Sequence, residues 1–245
     1  MSYNYPQNAT GNGCKCFVFD FDCTITSSHW FLFLESFSEW IKVHPQYNSE
    51  EIKNLYTKLI NMRTEFKRNP NILTSLTEKE TRIIIIIFMN GNDRFKMIKT
   101  FLNELKQNKY DLFIASRNYK ENIELFLNIV KMTDVFQDIN AQNCGNNRTN
   151  CTYISKDNYI LDLYKNKYYG IIRYADDDPT EHELLITKIK QDKISVDYKY
   201  YGALNCDKCL NIGLEKNKLG LSLNSINAIL RDVTSNKISH FLLTF

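Results

Sequence analysis

A short apolar run, Cys16-Phe17-Val18-Phe19, ends on two carboxylates set two residues apart, Asp20 and Asp22. The run is too short for a buried helix and is rich in aromatic and β-branched residues, so it predicts a buried strand that delivers both acids to its carboxyl end. From 27 to 109 the pattern becomes helical. Trp30, Phe33, Leu34, Phe37 and Ile41 share one face, as do Ile52, Leu55, Tyr56, Leu59 and Phe66. Thr77-Glu78-Lys79-Glu80 has the form of a capping box ahead of the isoleucines at 83–87. With Gly91 beyond them, this favours a helix over a strand there. Phe95, Ile98, Leu102 and Leu105 predict one more helix.

Beyond 110 the elements alternate. Strands are expected at 112–116, 135–139, 170–175 and 194–200, helices at 119–132, 157–166, 179–191 and 223–232, and a polar loop at 140–150. Such alternation implies an α/β fold, a Rossmann-like parallel sheet with helices on both faces. The stretch between the first two strands is too long for one crossover, so 27–109 reads as a helical subdomain inserted into a core of 14–26 and 110–245. Residues 1–13 read as a polar, flexible tail.

The hydrophobic share of 43% is enough for a sizeable core. A net charge of +3 lacks the strongly basic, clustered pattern of a nucleic-acid binder. The longest apolar run, 83–89, is far short of the roughly 20 residues of a membrane helix. The polar start of the chain shows no secretory pattern, so a soluble, cytoplasmic protein is expected. On that reading the seven cysteines are expected as free thiols. Cys206 and Cys209 form a lone Cys-x-x-Cys. Zinc needs about four ligands, and the spacing of Cys14, Cys16, Cys144 and Cys151 supplies no second clean pair, so zinc is not expected.

Active sites of open α/β sheets lie beyond the carboxyl ends of the strands. Three predicted strands end in reactive residues: Asp20, Asp22 and Thr24 after the first, Ser116-Arg117-Asn118 after the second, and Asp176-Asp177-Asp178 after a later one. A carboxylate can attack phosphorus, and a neighbouring acid can protonate the leaving group and later deprotonate water. A phosphate dianion repels an approaching anion, so such chemistry calls for a cation, and Mg²⁺ suits a few carboxylates plus phosphate oxygens. An Asp-x-Asp taken alone fits a turn or a helix cap equally well.

Phe17-Val-Phe-Asp-Phe-Asp-Cys-Thr24 resembles the first motif of the haloacid dehalogenase (HAD) superfamily, hhhDxDxT. Leu112-Phe-Ile-Ala-Ser116 resembles the second motif, Lys156 at a helix start the third, and Asp176-Asp177 after a strand the fourth, all in order. The resemblance spans about 14–190 and implies roles for each residue. Asp20 would be nucleophile and metal ligand. Asp22 would be general acid and base, with its main-chain carbonyl on the metal. Thr24 would support the turn and Asp22, and with Ser116 and Lys156 would serve the phosphate. Asp176, with Asp177 beside it, would complete a Mg²⁺ site, the register among 176–178 being open by one.

Lys165 and Lys167 rival Lys156, which is favoured by its place at a helix start 20 residues before Asp176. Arg117 and Asn118 fit a substrate contact or a surface position. Asp22 separates the chain from the dehalogenase members, which lack it, and leaves phosphoryl transfer. The helical insert resembles the family's cap, a lid over the site. Trp30, Phe33 and Trp40 read best as the core of that cap. The reading is a Mg²⁺-dependent phosphatase acting on a small phosphorylated molecule. The alternatives are one acting on phosphoproteins or nucleic-acid ends, or a HAD-fold interaction protein without activity.

Overall fold

A computed structural model describes residues 14–69, 76–144, 151–167, 169–203 and 220–241. Among the described residues six strands form one sheet: β1 (Lys15–Phe19), β2 (Tyr110–Tyr119), β3 (Asp138–Cys144), β4 (Cys151–Thr152), β5 (Ile171–Asp176) and β6 (Asp197–Gly202). Their order is β4-β3-β2-β1-β5-β6, and every pairing is parallel except that of β3 with β4. The expected α/β sheet is therefore observed, with β1 at its centre.

Alternation along the strands divides the core. Phe17 and Phe19 of β1, with Leu112 and Ile114 of β2, enter one apolar cluster. Cys16, Val18, Phe113 and Ala115 enter another on the opposite face. The first face is covered by α5 (Asn92–Gln107), α6 (Lys120–Ile129) and α9 (Leu223–Phe241), the second by α7 (Lys156–Lys167) and α8 (Pro179–Gln191). Each large apolar side chain taken from water there contributes about 1.5–3 kcal/mol.

Between β1 and α5 lie α1 (Trp30–Glu35), α2 (Phe37–Val43), α3 (Glu50–Arg68) and α4 (Glu78–Phe88). The isoleucine run is helical, and the Thr77–Glu80 capping box is formed in both directions. Trp30, Phe33, Trp40 and Phe88 pack ring against ring. Trp30 also lies 5.2 Å from Phe126 of α6 and donates from Nε1 to the Asn122 carbonyl at 2.8 Å, which seats α1 on α6. α5 packs against β2 and α9 and serves as the crossover helix.

The loop expected at 140–150 is corrected over 140–144, while 145–150 lie outside the described residues. β3 runs through Cys144 and pairs in parallel with β2, while β4 returns antiparallel to it. This is a polar strand near the sheet edge, and it carries no apolar alternation to mark it. The hairpin sets Cys144 directly opposite Cys151, with Cα atoms 4.0 Å apart, and the two are joined as a disulfide. The expectation of free thiols therefore fails for this pair, and Cys14, Cys16 and Cys23 form no disulfide among the described residues. Cys206 and Cys209 lie outside the described residues. No helix among the described residues is long and apolar enough to cross a membrane.

Candidate active site

Strand register builds the site. Phe19 pairs with Ile114 on one side and Ala175 on the other. The next positions, Asp20, Ala115 and Asp176, therefore fall in one row, with Ser116 one step beyond. Asp20 is anchored by its own N–H, which donates to the Ala175 carbonyl at 2.8 Å.

Lys156 rises into this row from the first turn of α7. Its Nζ lies 2.9 Å from Asp20 Oδ1 and 2.7 Å from Asp176 Oδ2, and all three side chains are at most 7% exposed. The rival lysines are elsewhere: Lys165 pairs with Asp192, and Lys167 lies over the rings of Phe113 and Tyr159. Asp176 is fixed further by the Tyr174 hydroxyl and by the Asp178 N–H at 2.8 Å, and its carbonyl accepts from Tyr200 Oη at 2.9 Å. One carboxylate oxygen from each of Asp20, Asp176 and Asp177 falls within 4.8 Å of the others. Asp178 instead caps α8 by accepting from the Thr180 N–H at 3.0 Å. Geometry thus groups Asp176 and Asp177, and not Asp178, with Asp20.

Burial pushes the Asp20 carboxyl up to about 6. Lys156 pulls it down, and the charge on Asp177 pushes it up. Burial and the charge on Asp20 likewise raise Asp176 to about 6, against the pull of Lys156. Burial alone would lower Lys156, but the two carboxylates outweigh it and hold the ammonium well above its ordinary value. Asp20 is therefore largely ionised at neutral pH, and Lys156 is charged.

Asp22 follows in a tight turn over Phe21–Ile25, in which Cys23 has φ +58°. Asp22 Oδ1 accepts from the Phe31 N–H at 3.1 Å and Oδ2 from Asn118 Nδ2 at 2.8 Å. Burial raises its carboxyl, opposed by His29 and by these hydrogen bonds. Ser116 is buried at the end of its expected strand, and its hydroxyl accepts from the Asn118 N–H at 3.3 Å.

Thr24 behaves differently from the other expected residues. It is fully buried, its hydroxyl has no hydrogen-bond partner among the described residues, and its carbonyl accepts from Leu221 N and Arg94 Nη2. The turn is braced instead by Thr26, whose Oγ1 accepts from the Cys23 N–H at 3.2 Å and lies within donating reach of the Phe21 and Ser28 carbonyls. Thr26 is the residue that sequence reasoning passed over, and Asn118, left open between a substrate contact and a surface position, is buried against Asp22. Both are small polar residues next to a motif, and their partners depend on the folded turn. Arg117, also adjacent, pairs with Glu181 at the surface.

A buried carboxylate clamped by a lysine, an acidic cluster beside it and a second hydrogen-bonded acid thus lie together at one edge of a Rossmann-like sheet. The sequence model of the haloacid dehalogenase-like hydrolases matches residues 17–148, more than half of the chain, and the chain belongs to that family. No curated protein matches it in sequence. Among solved structures it is similar to the HAD domain of effector protein Lem4 from Legionella pneumophila (16% identity, 82% of this chain and 91% of that one, TM-score 0.44). It is also similar to a phosphoserine phosphohydrolase-like protein from Francisella tularensis (16%, 88% and 99%, TM-score 0.42) and to a HAD-superfamily hydrolase from Ehrlichia chaffeensis (14%, 83% and 97%, TM-score 0.43).

Proposed function

We propose that this chain is a Mg²⁺-dependent phosphomonoesterase that works through an aspartyl-phosphate on Asp20, with a small phosphorylated molecule as substrate. The observation that carries this reading is the clamp of Lys156 on Asp20 and Asp176, with Asp177 completing a cluster of carboxylate oxygens. An oxygen-only donor set of this kind fits a hard cation such as Mg²⁺. Asp20, Asp176 and Asp177 would hold it, with the Asp22 carbonyl as a further ligand. Mg²⁺ bound there supplies the positive charge that lets a carboxylate approach a phosphate dianion.

The remaining steps belong to the chain. Asp20 attacks phosphorus while Asp22 gives a proton to the departing oxygen, so the alcohol leaves neutral. Asp22, now ionised, takes a proton from water as that water attacks the phosphorus of the aspartyl-phosphate, which releases inorganic phosphate and restores Asp20. Lys156 balances the charge on Asp20, and the Ser116 hydroxyl donates to the phosphoryl group. Helices α1–α4 act as the lid, and the first turn of α1 meets Asp22 directly. Such a lid limits the size of what enters and favours a small substrate.

The test is hydrolysis of p-nitrophenyl phosphate with Mg²⁺ and with EDTA, for wild type and Asp20→Asn. Metal-dependent turnover lost in the variant is expected. Absence of metal-dependent turnover, or full activity in Asp20→Asn, overturns the proposal. A panel of phosphorylated metabolites, nucleotides and phosphopeptides then addresses the substrate.

A further inference from the structure

A chain of buried polar side chains runs from Asp22 into the inserted helices. Asn118, at 2% exposure, donates from Nδ2 to Asp22 Oδ2 at 2.8 Å, and its Oδ1 accepts from the Tyr119 N–H at 2.7 Å. Asn122, fully buried on α6, donates from Nδ2 both to Asn118 Oδ1 and to Glu35 Oε1 of α1, each at 3.1 Å. Arg63 of α3 pairs with that same Glu35 oxygen and reaches Asn122 Oδ1 at 3.5 Å.

Each amide in this chain has only one workable orientation. The Tyr119 N–H can meet only an acceptor, so the Asn118 oxygen must face it and the Asn118 amino group must face Asp22. The Glu35 carboxylate can only accept, so Asn122 must turn its amino group toward Glu35 and Asn118. The remaining Asn122 oxygen then faces Arg63, a donor. Every link agrees in direction, from the Arg63 guanidinium inward to the Asp22 carboxylate. A buried hydrogen-bonded network of this kind holds its members in one geometry. The other oxygen of Asp22 is taken by the Phe31 N–H, so the plane of the carboxylate is fixed from both sides.

We infer that Asn118 is a positioning residue: it orients the Asp22 carboxyl for proton transfer and is itself held by Asn122 and the Glu35–Arg63 pair of the insert. This rests on the phosphatase reading, in which Asp22 is the acid and base. Loss of an outer residue that orients a catalytic group lowers activity by about 10- to 100-fold. A misplaced acid matters most when the leaving group needs a proton. Phenolate needs one far more than p-nitrophenolate, which leaves as a stabilised anion.

The experiment compares kcat/KM for p-nitrophenyl phosphate and phenyl phosphate, with Mg²⁺, in wild type, Asn118→Leu and Asn118→Ala. The ratio kcat/KM reports steps up to departure of the leaving group, so hydrolysis of the intermediate does not enter. Leu keeps the side-chain volume, and Ala serves if Leu does not fold. The expected result is a fall of about 10- to 100-fold for phenyl phosphate and within about threefold for p-nitrophenyl phosphate. The double variant Glu35→Gln/Arg63→Gln is expected to shift the ratio in the same direction by less. Equal losses for both substrates, or no loss, overturn the positioning role and leave the phosphatase reading intact. A wild-type protein that hydrolyses neither substrate overturns both.

Discussion

Replacing Lys156 with methionine removes the cation that two buried carboxylates share. In the folded protein Lys156 is 4% exposed, Asp20 5% and Asp176 0%. Truncating one member of a buried charged group leaves its partners uncompensated and costs about 3–5 kcal/mol. In a chain of this size that lowers Tm by roughly 6–20 °C. The loss depends on pH, with a definite sign. Asp20 and Asp176 have folded-state values of about 6 against 3.8 for the unfolded chain. The folded state therefore binds more protons than the unfolded chain between these limits, and their contribution to stability falls as pH rises through that window. Lys156, raised when folded by the two carboxylates, contributes below its unfolded value of 10.5 as long as those carboxylates are ionised, and this is lost at high pH, as pH rises through the higher folded value. Its removal lifts both carboxyls further, so in the variant the falling window extends upward past 6. Urea denaturation in EDTA at pH 5 and pH 8 measures the difference. The gap between wild type and Lys156→Met is expected to be small at pH 5 and about 3–5 kcal/mol at pH 8. A gap below about 1 kcal/mol at pH 8, or equal gaps at the two pH values, refutes the claim that Lys156 balances these two carboxylates.

Two further substitutions test the turn that carries Asp22. Thr26→Val leaves the Cys23 N–H without its acceptor and is expected to cost about 1–3 kcal/mol in urea denaturation. Thr24→Val, which removes an unpartnered buried hydroxyl, is expected to be neutral or stabilising, and the reverse order would show that Thr24 braces the turn. Gly220 has φ +67°, and a Cβ there would meet Arg94 Nη2 and lie 2.8 and 3.0 Å from the Thr26 and Thr24 carbonyl oxygens. Gly220→Ala is expected to destabilise by about 2 kcal/mol or more, and a Tm within about 2 °C of wild type would show that this close approach is absent in solution.

Periodicity made most of the architecture legible. The apolar run of β1, the capping box ahead of the isoleucines and the bounds of α8 at 179–191 are all local signals, and each element formed where it was expected. Polar strands were not legible. Asp138–Cys144 offers Asn and Gln where alternation would show apolar residues, so β3 was expected to end at 139, and the Cys144–Cys151 pairing that depends on its hairpin went unseen. In the site, Asp20, Ser116, Asp176 and Asp177 follow strand positions that the pattern predicts and Lys156 opens a predicted helix; register aligns β1, β2 and β5, and the ion pairs of Lys156 tie α7 to Asp20 and Asp176. Asn118, Asn122, Glu35 and Arg63 carry no such signal. Asn118 meets Asp22 across 96 residues and Asn122 meets Glu35 across 87, so only the packing of α1 and α3 on α6 reveals the network.

The central claim is that Asp20 attacks phosphorus, and it predicts a covalent intermediate on one named residue. Acid quenching during turnover of p-nitrophenyl phosphate with Mg²⁺, followed by borohydride reduction and peptide mass spectrometry, reads that residue directly, because an acyl phosphate is reduced and a free carboxylate is not. The predicted result is conversion of Asp20 to homoserine in wild type only when substrate is present, with Asp22, Asp176 and Asp177 unchanged. Turnover without any reduced aspartate, or reduction at another of these acids, would contradict it.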